Sequence, residues 1–195
     1  MLAAGTNVQW LRDELGLIAS SDESDAVAQL CTDSGGVVYV PALLGLGTPA
    51  WDYGARGALF GLTRGTGRPE IVRAVLEGIA QRGADLVDAA ETDGAPRIAA
   101  IRIDGGMSRN PTFVQALADA TQRPVEVSPV VEATTLGAAF LAGLATGSWA
   151  GWGDIAAAWK PAKMIEPVGT TDRARWADAV SRAGAWFPEL SGIKF

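Results

Sequence analysis

Two hydrophobic periods follow each other along this chain, one typical of helices and the other typical of strands. Apolar residues at helical spacing predict helices over residues 8–17, 20–30, 69–90, 110 onward, 134–147 and 172–186. Short apolar runs next to glycine or proline predict strands over residues 37–41, 58–62, 98–103 and 125–127. This alternation favours an α/β fold, in which helices cover a sheet.

Local signals place several of the predicted helix ends. Ser20 and Glu23 have the spacing of a capping box, Pro69 suits a first helical turn, and Thr171 is a good N-cap for the last helix. After Trp149 the pattern weakens, and we predict a loop-rich tract before that last helix.

Composition narrows the class of protein. The 195 residues, 48% of them hydrophobic, suffice for one compact domain, and the net charge of -6 argues against binding to nucleic acid. With no histidine and one cysteine, Cys31, the chain cannot form an intramolecular disulfide, a common zinc site or a histidine-based triad. Without a leader pattern or a run of eighteen apolar residues, we expect a cytoplasmic protein that is neither secreted nor membrane-spanning.

The segment Asp104-Gly105-Gly106 is the strongest local candidate for a binding site. It follows a predicted strand and precedes a helix that starts at Asn110-Pro111. Two glycines let the main chain approach a flat or anionic ligand, and the next helix would present free N–H groups and its positive end to that ligand. The spacing alone fits a nucleotide site and an ordinary turn, with Asn110 as N-cap, equally well. It is neither a P-loop nor a dinucleotide fingerprint.

Other candidate residues have a structural interpretation beside the functional one. Arg56 and Arg64 would face a phosphate or, more simply, pair with acidic residues in a loop scaffold. The small residues of Thr134 to Gly143 let another helix approach closely, and a threonine there would cap the helix start.

Acidic and thiol groups are the other candidate catalysts. Asp52, Asp104 and Glu132 lie beside turns and are candidates for a general base, but none has a partner arrangement that identifies it as one. Cys31, on an apolar helix face with Val27 and Leu30, is predicted to be a core residue rather than a nucleophile.

Taken together, several motifs resemble one family. They are Ala4-Gly5-Thr6-Asn7-Val8-Gln9-Trp10-Leu11-Arg12-Asp13, Val40-Pro41-Ala42 with Gly45-Leu46-Gly47, Trp51-Asp52 with Ala55-Arg56-Gly57, Gly61-Leu62-Thr63-Arg64-Gly65, Asp104-Gly105-Gly106 and Thr134-Thr135-Leu136-Gly137-Ala138-Ala139. Their order and separations resemble the C-terminal domain of the FGGY carbohydrate kinases, and within them the glycerol kinase branch. The resemblance runs from Met1 to about Trp149 and stays compatible to the end.

The resemblance implies an actin-like, ribonuclease-H-like fold with a mixed sheet flanked by helices, and residues 1–195 as the nucleotide-binding domain of a two-domain kinase. Gly5 and Gln9 match positions that the family uses at the nucleotide, and Gly106 and Asn110 match those that hold the adenosine part. It implies ATP and Mg²⁺ as cofactors. The helix Thr134 to Gly143 would meet its counterpart across the interdomain hinge.

The resemblance also implies which parts of the enzyme this segment does not carry. In the family, the residues that contact the polyol, both phosphate-binding turns and the aspartate that accepts the hydroxyl proton lie upstream of the matched segment. We therefore expect a truncated gene product, an isolated domain or one part of a split kinase, inactive alone, with exposed apolar surface that favours a homo-oligomer. Phosphorylation of glycerol is the leading expectation; another polyol or sugar such as a pentulose, and a non-catalytic nucleotide-binding or interaction domain, are the alternatives.

Overall fold

The fold alternates helices with short strands, as the hydrophobic pattern predicts. The computed structural model of the chain describes residues 4–192; residues 1–3 and 193–195, the two ends of the expected domain, lie outside the described residues. The helices are α1 (Ala4–Asp13), α2 (Glu23–Ala28), α3 (Arg68–Thr92), α4 (Pro111–Thr121), α5 (Ala133–Ala145), α6 (Trp152–Ala158), α7 (Arg173–Ala183) and α8 (Pro188–Ser191). The strands are β1 (Val38–Val40), β2 (Ala58–Phe60), β3 (Ile101–Ile103), β4 (Val125–Val127) and β5 (Lys163–Ile165), and a 3-10 turn covers Gly106–Arg109.

The strands form two small sheets. β1 and β2 pair antiparallel. In the other sheet β3 and β4 are parallel, with Ile101 opposite Val125, and β5 pairs antiparallel with β4. Parallel neighbours need a crossover, and α4 provides it. The turn after β3 therefore lies at the carboxyl end of that strand, the position at which open α/β sheets bind ligands.

Helix α3 is the element on which the others pack. It contacts α1, α2, α4 and β1. Its N-terminus has Pro69 in the first turn, as predicted, and the Glu70 carboxylate accepts the Gly67 N–H at 2.9 Å. Its fully buried face includes Val72, Val75, Leu76, Ile79 and Ala80. A second apolar cluster joins β1 and the loop that follows it to α7.

The two N-terminal helices differ from their predictions. α1 covers Ala4–Asp13 rather than 8–17, because burial of Asn7, Val8 and Leu11 stabilises a turn that glycine disfavours by propensity. α2 starts after Asp22, so Ser20 is not its cap, and Glu23 instead accepts the N–H of Ala19.

The predicted surroundings of Cys31 are also wrong. α2 ends at Ala28, and Leu30 is 72% exposed. Cys31 therefore lies beyond the helix and is half-buried, rather than a core residue on a helix face.

Two predicted strands are shorter than expected. β3 starts at Ile101 rather than residue 98, because the Ile98 N–H donates to the Glu91 carboxylate at 2.8 Å instead of entering the ladder. β2 ends at Phe60, where Gly61 takes a φ of +79°. The strand of residues 125–127 is confirmed.

The C-terminal tract contains more regular structure than predicted. α6 and β5 occupy the expected loop; the last predicted helix is α7, which ends at Ala183 rather than at residue 186, and a further short helix, α8, follows it. Asp172, not Thr171, caps α7, since its carboxylate accepts the Arg175 N–H at 2.8 Å. α5 begins after Glu132 without a side-chain cap, so the expected threonine cap is wrong as well.

Candidate functional site

The candidate site is the turn that joins β3 to α4. Gly105 has a φ of +79°, a conformation that glycine adopts without steric cost. Its N–H donates to the Val131 carbonyl at 3.0 Å, and its carbonyl accepts the Ser108 hydroxyl at 2.7 Å. Both main-chain groups of Gly105 are bonded within the protein, so contacts of the protein itself fix the shape of the turn.

Asn110 closes the turn from the interior. It is 8% exposed. Its Oδ1 accepts the Phe113 N–H at 2.9 Å, which confirms the predicted N-cap, and its Nδ2 donates to the Ser24 hydroxyl at 2.9 Å. The side chain thus bonds to α4 on one side and to α2 on the other.

The expectation that α4 presents free N–H groups to a ligand is wrong. Pro111 has no N–H, the Thr112 N–H donates to the Asp25 carboxylate at 2.9 Å, and the Phe113 N–H is bonded to Asn110. These groups of the first turn are satisfied by side chains of this chain. A ligand here must therefore lie against the glycine turn itself rather than bind the helix end.

Gly106 faces open space. A Cβ at this position would meet no atom within 4 Å, and its φ is not in the left-handed region. Neither packing among the described residues nor backbone strain requires glycine there. A ligand that lies against the main chain would require it.

Gly5 and Gln9 lie on α1, which adjoins the 3-10 turn. They are four residues apart and share one exposed helix face. A Cβ at Gly5 would also meet no atom within 4 Å, although glycine inside a helix costs about 1 kcal/mol relative to alanine. The predicted residues Gly5, Gln9 and Gly106 thus occupy exposed positions on two neighbouring elements, and Asn110 is buried.

Ser24 and Asp25 of α2 are parts of this region that sequence reasoning missed. The only local signal is a serine and an aspartate in the first turn of a short helix. Their partners, Asn110 and Thr112, lie more than eighty residues further along the chain.

Asp52 has a structural role. Its carboxylate accepts hydrogen bonds from the N–H groups of Gly54, Ala55 and Ala185 and from the Ser191 hydroxyl. Burial would raise the pKa of this carboxyl, but the hydrogen bonds outweigh burial and hold the pKa below its ordinary value. A carboxylate so stabilised in its charged form is a poor general base.

The other two carboxylate candidates lie at the start of α5. Asp104 accepts the Ala133 N–H at 3.2 Å, and Glu132 occupies the N-cap position and is exposed. Asp104 therefore joins the glycine turn to α5.

Arg56 has a structural role, but through main-chain carbonyls and an aromatic ring rather than through the predicted acidic partners. Its guanidinium donates to the carbonyls of Tyr53 and Ala55 and lies 4.5 Å from the centre of the Phe187 ring. Arg64 is exposed.

Thiol chemistry finds little support. Burial raises the pKa of the Cys31 thiol, so the reactive thiolate is disfavoured. Within residues 4–192, no group of three histidine, cysteine, aspartate or glutamate side chains could hold a metal ion.

A cavity of about 910 Å³ lies between α3, α4, β5 and α7 and includes Glu77, Gln115 and Arg175. Ser108 and Arg109 of the 3-10 turn also line it, but none of Gly5, Gln9, Gly106 and Asn110 does. The cavity therefore borders the candidate site without containing its four residues.

Helix α5 differs from the rest of the fold. None of its thirteen residues is buried, although its sequence ATTLGAAFLAGLA contains no charged side chain. None of the helices described is both long and apolar enough to cross a membrane. An apolar helix left uncovered is typical of a surface that another part of a protein covers.

Comparison with known proteins identifies the relatives of this chain. The sequence pattern described as "FGGY family of carbohydrate kinases, C-terminal domain" matches residues 1–146. A glycerol kinase from Aromatoleum aromaticum is 49% identical over 187 residues, which are 93% of this chain and 38% of that protein. The chain thus spans less than two fifths of the length of this relative.

Solved structures agree. A glycerol kinase from Plasmodium falciparum, crystallised with ADP, superposes with a TM-score of 0.78 at 33% identity, over 98% of this chain and 38% of that one. A ligand-bound xylulose kinase from Lactobacillus acidophilus gives a TM-score of 0.70 at 28% identity, over 95% of this chain and 37% of that one. These matches confirm the predicted actin-like α/β fold. The chain therefore belongs to the FGGY family of carbohydrate kinases, and the part that it matches is the C-terminal domain of that family.

Proposed function

We propose that this chain is the nucleotide-binding half of an ATP-dependent glycerol kinase, which transfers the γ-phosphate of ATP to a terminal hydroxyl of glycerol. One observation carries the proposal: Gly106 and Gly5 are glycines that no described residue requires, at exposed positions of two adjoining elements. The glycerol kinase of Plasmodium falciparum, whose structure contains ADP, supports the choice of nucleotide.

In this proposal the four site residues have different tasks. The main chain at Gly106 lies against the adenosine part, and Asn110 holds the turn in position by its two internal hydrogen bonds. Gly5 lets the nucleotide approach α1. The exposed amide of Gln9 lies on the same helix face and can both donate and accept hydrogen bonds.

The remaining chemistry is assigned to an N-terminal substrate domain. Phosphoryl transfer depends on alignment of the nucleophile with the γ-phosphate and on stabilisation of charge by Mg²⁺ and fixed donors. The described residues offer no acidic cluster for Mg²⁺, so the ion would be held by the nucleotide phosphates and the other domain. The catalytic aspartate and the glycerol pocket are placed there as well, and we expect this chain alone to be inactive.

Glycerol is preferred to a pentulose because of sequence similarity. Relatives named glycerol kinase reach 49% and 47% identity, whereas the xylulose kinase structure from Lactobacillus acidophilus is 28% identical. The one cysteine suits the reducing cytoplasm, and the uncovered α5 supports self-association of the chain in isolation.

Calorimetric titration with MgATP tests the proposal. We expect the chain to bind MgATP, and Gly106→Arg to abolish binding, because the new side chain fills the open space beside the turn. Gly153→Arg is the matched control. Gly153 is an exposed glycine of α6, and a Cβ there would also meet no atom within 4 Å.

The outcomes separate three interpretations. Binding that Gly106→Arg abolishes and Gly153→Arg leaves intact supports the proposal. Equal binding by all three proteins means that the glycines form an ordinary turn, and an absence of binding to folded chain means that this half carries no nucleotide site of its own.

A further inference from the structure

Two side chains of α2 hold the first turn of α4. Ser24 is 1% exposed; its hydroxyl accepts from Asn110 Nδ2 at 2.9 Å and donates to the Ser21 carbonyl at 2.6 Å. Asp25 accepts both the N–H and the hydroxyl of Thr112, at 2.9 and 2.7 Å. The two neighbours on α2 thus bond to residues on either side of Pro111.

Helix α2 is itself fixed to α3 at both ends. Near its start, Glu23 pairs with Arg68. At its last residue and just beyond it, the Arg73 guanidinium donates to the carbonyls of Ala28 and Cys31 at 3.4 and 3.1 Å. Val27 and Ala28 are also buried in the core, so both packing and these bonds hold α2 in place although it has only six residues.

We propose that α2 is a positioning element of the nucleotide site, in which Ser24 acts through Asn110, and Asp25 through Thr112, to set the shape of the glycine turn. This inference rests on the proposed nucleotide site. Four residues separate Gly105 from Asn110, so a shift of Asn110 moves the turn. Without Ser24, the buried amide of Asn110 loses its acceptor and the residue must shift or stay unsatisfied.

A turn that is already held in its binding conformation binds a ligand more tightly than one that must be ordered. A ligand that binds mainly through the main chain of a short turn depends on where that main chain lies, and sub-ångström changes weaken such contacts. The first N–H groups of α4 cannot compensate, because Asp25 and Asn110 occupy them. Ser24 should therefore affect nucleotide affinity without contacting the nucleotide.

Calorimetric titration with MgADP, alongside thermal unfolding, tests this inference. We expect Ser24→Ala to weaken binding about tenfold, as loss of one buried hydrogen-bond partner implies. Thr121→Val is the control, since it removes a buried hydroxyl that donates to the Leu117 carbonyl at the opposite end of α4. It should leave the affinity for MgADP within about twofold. Asp25→Asn, which keeps the shape of the side chain, is the second variant, with an expected loss of about threefold.

A double-mutant cycle separates action through Asn110 from general destabilisation. If Ser24 acts through Asn110, Ser24→Ala causes no further loss of affinity in an Asn110→Ala background. Hydrogen exchange gives a second measure: the Thr112 and Phe113 amides should lose protection in Ser24→Ala but not in Thr121→Val.

The outcomes are distinct. If the unmodified chain fails to bind MgADP, the proposed function and this inference both fall. If the unmodified chain binds but Ser24→Ala and Asp25→Asn bind as well, or the effects of Ser24→Ala and Asn110→Ala simply add, the proposed function stands and the positioning role is overturned.

Discussion

Helices α4 and α5 have similar lengths, and each follows a strand of the same sheet, yet the more apolar of the two, α5, is the one left uncovered. α4 buries six of its eleven residues and has side-chain partners for the free N–H groups of its first turn. α5 buries none of its thirteen and has no side-chain cap. The difference in burial is thus opposite to the difference in composition.

This chain covers some of its apolar surfaces with its own residues and leaves others uncovered. The interior around α3 and α4 buries its apolar side chains and pairs its buried polar groups within the chain, with Arg123 Nε as an exception, as an independent core does. The face of α5 leaves its apolar side chains uncovered, and the space beside Gly106 in the glycine turn is open. In the proposed kinase, those two uncovered surfaces are where the other domain and the nucleotide would lie.

The largest effect expected from this comparison concerns leucine truncation. Leu117→Ala on α4, where the side chain is 4% exposed, should lower the free energy of unfolding by about 2–5 kcal/mol. Leu141→Ala on α5, where the side chain is 58% exposed, should change it by less than about 0.5 kcal/mol. Denaturant unfolding of both variants measures the contrast, and similar losses would show that α5 is packed in solution.

A smaller effect is expected on self-association. Leu141→Glu places a charge on the uncovered apolar face, so it should weaken association of the chain about tenfold and leave its unfolding free energy within about 0.5 kcal/mol. Sedimentation at several concentrations measures it. Ala138→Glu, also on α5 and exposed, is a second probe of that face. An unchanged association constant in both variants would mean that copies do not meet through α5.

The smallest expected effect is a fall in the free energy of unfolding at acid pH. It should arise in the packed part of the molecule, because α5 has no ionisable side chain. The folded-state pKa of Asp52 is lowered, so its carboxylate adds stability above the unfolded pKa of about 3.9, and that stability is lost as the pH falls through the lower folded pKa. The stability difference between the unmodified chain and Asp52→Asn should therefore be constant above about pH 5 and shrink on acidification. A stability difference that does not change with pH would show that the charged form of Asp52 does not stabilise the fold.

Sequence reasoning succeeded where the determinants are local. Asn110 caps α4 and Pro111 follows it because both residues act within one turn, and the strand of residues 125–127 is a short apolar run with clear ends. The glycine turn was found for the same reason.

It failed where distant contacts decide. α1 starts four residues early because core packing outweighs the low helix propensity of Gly5. Thr171 and Asp172 are adjacent and both suitable caps, so only the structure distinguishes them. The bond between Ser24 and Asn110 joins residues with no shared local pattern. The Thr112 N–H at the start of α4 is likewise bonded through a distant contact, with the Asp25 carboxylate.

The most direct test of the central claim is to map MgADP onto the folded chain by amide chemical shifts. We predict saturable shifts at Gly5, Gln9, Gly105 and Gly106, and none along α7. Shifts confined to the cavity beside Gln115 and Arg175, or no saturable shift at all in folded protein, would contradict the assignment of a nucleotide half-site to α1 and the glycine turn.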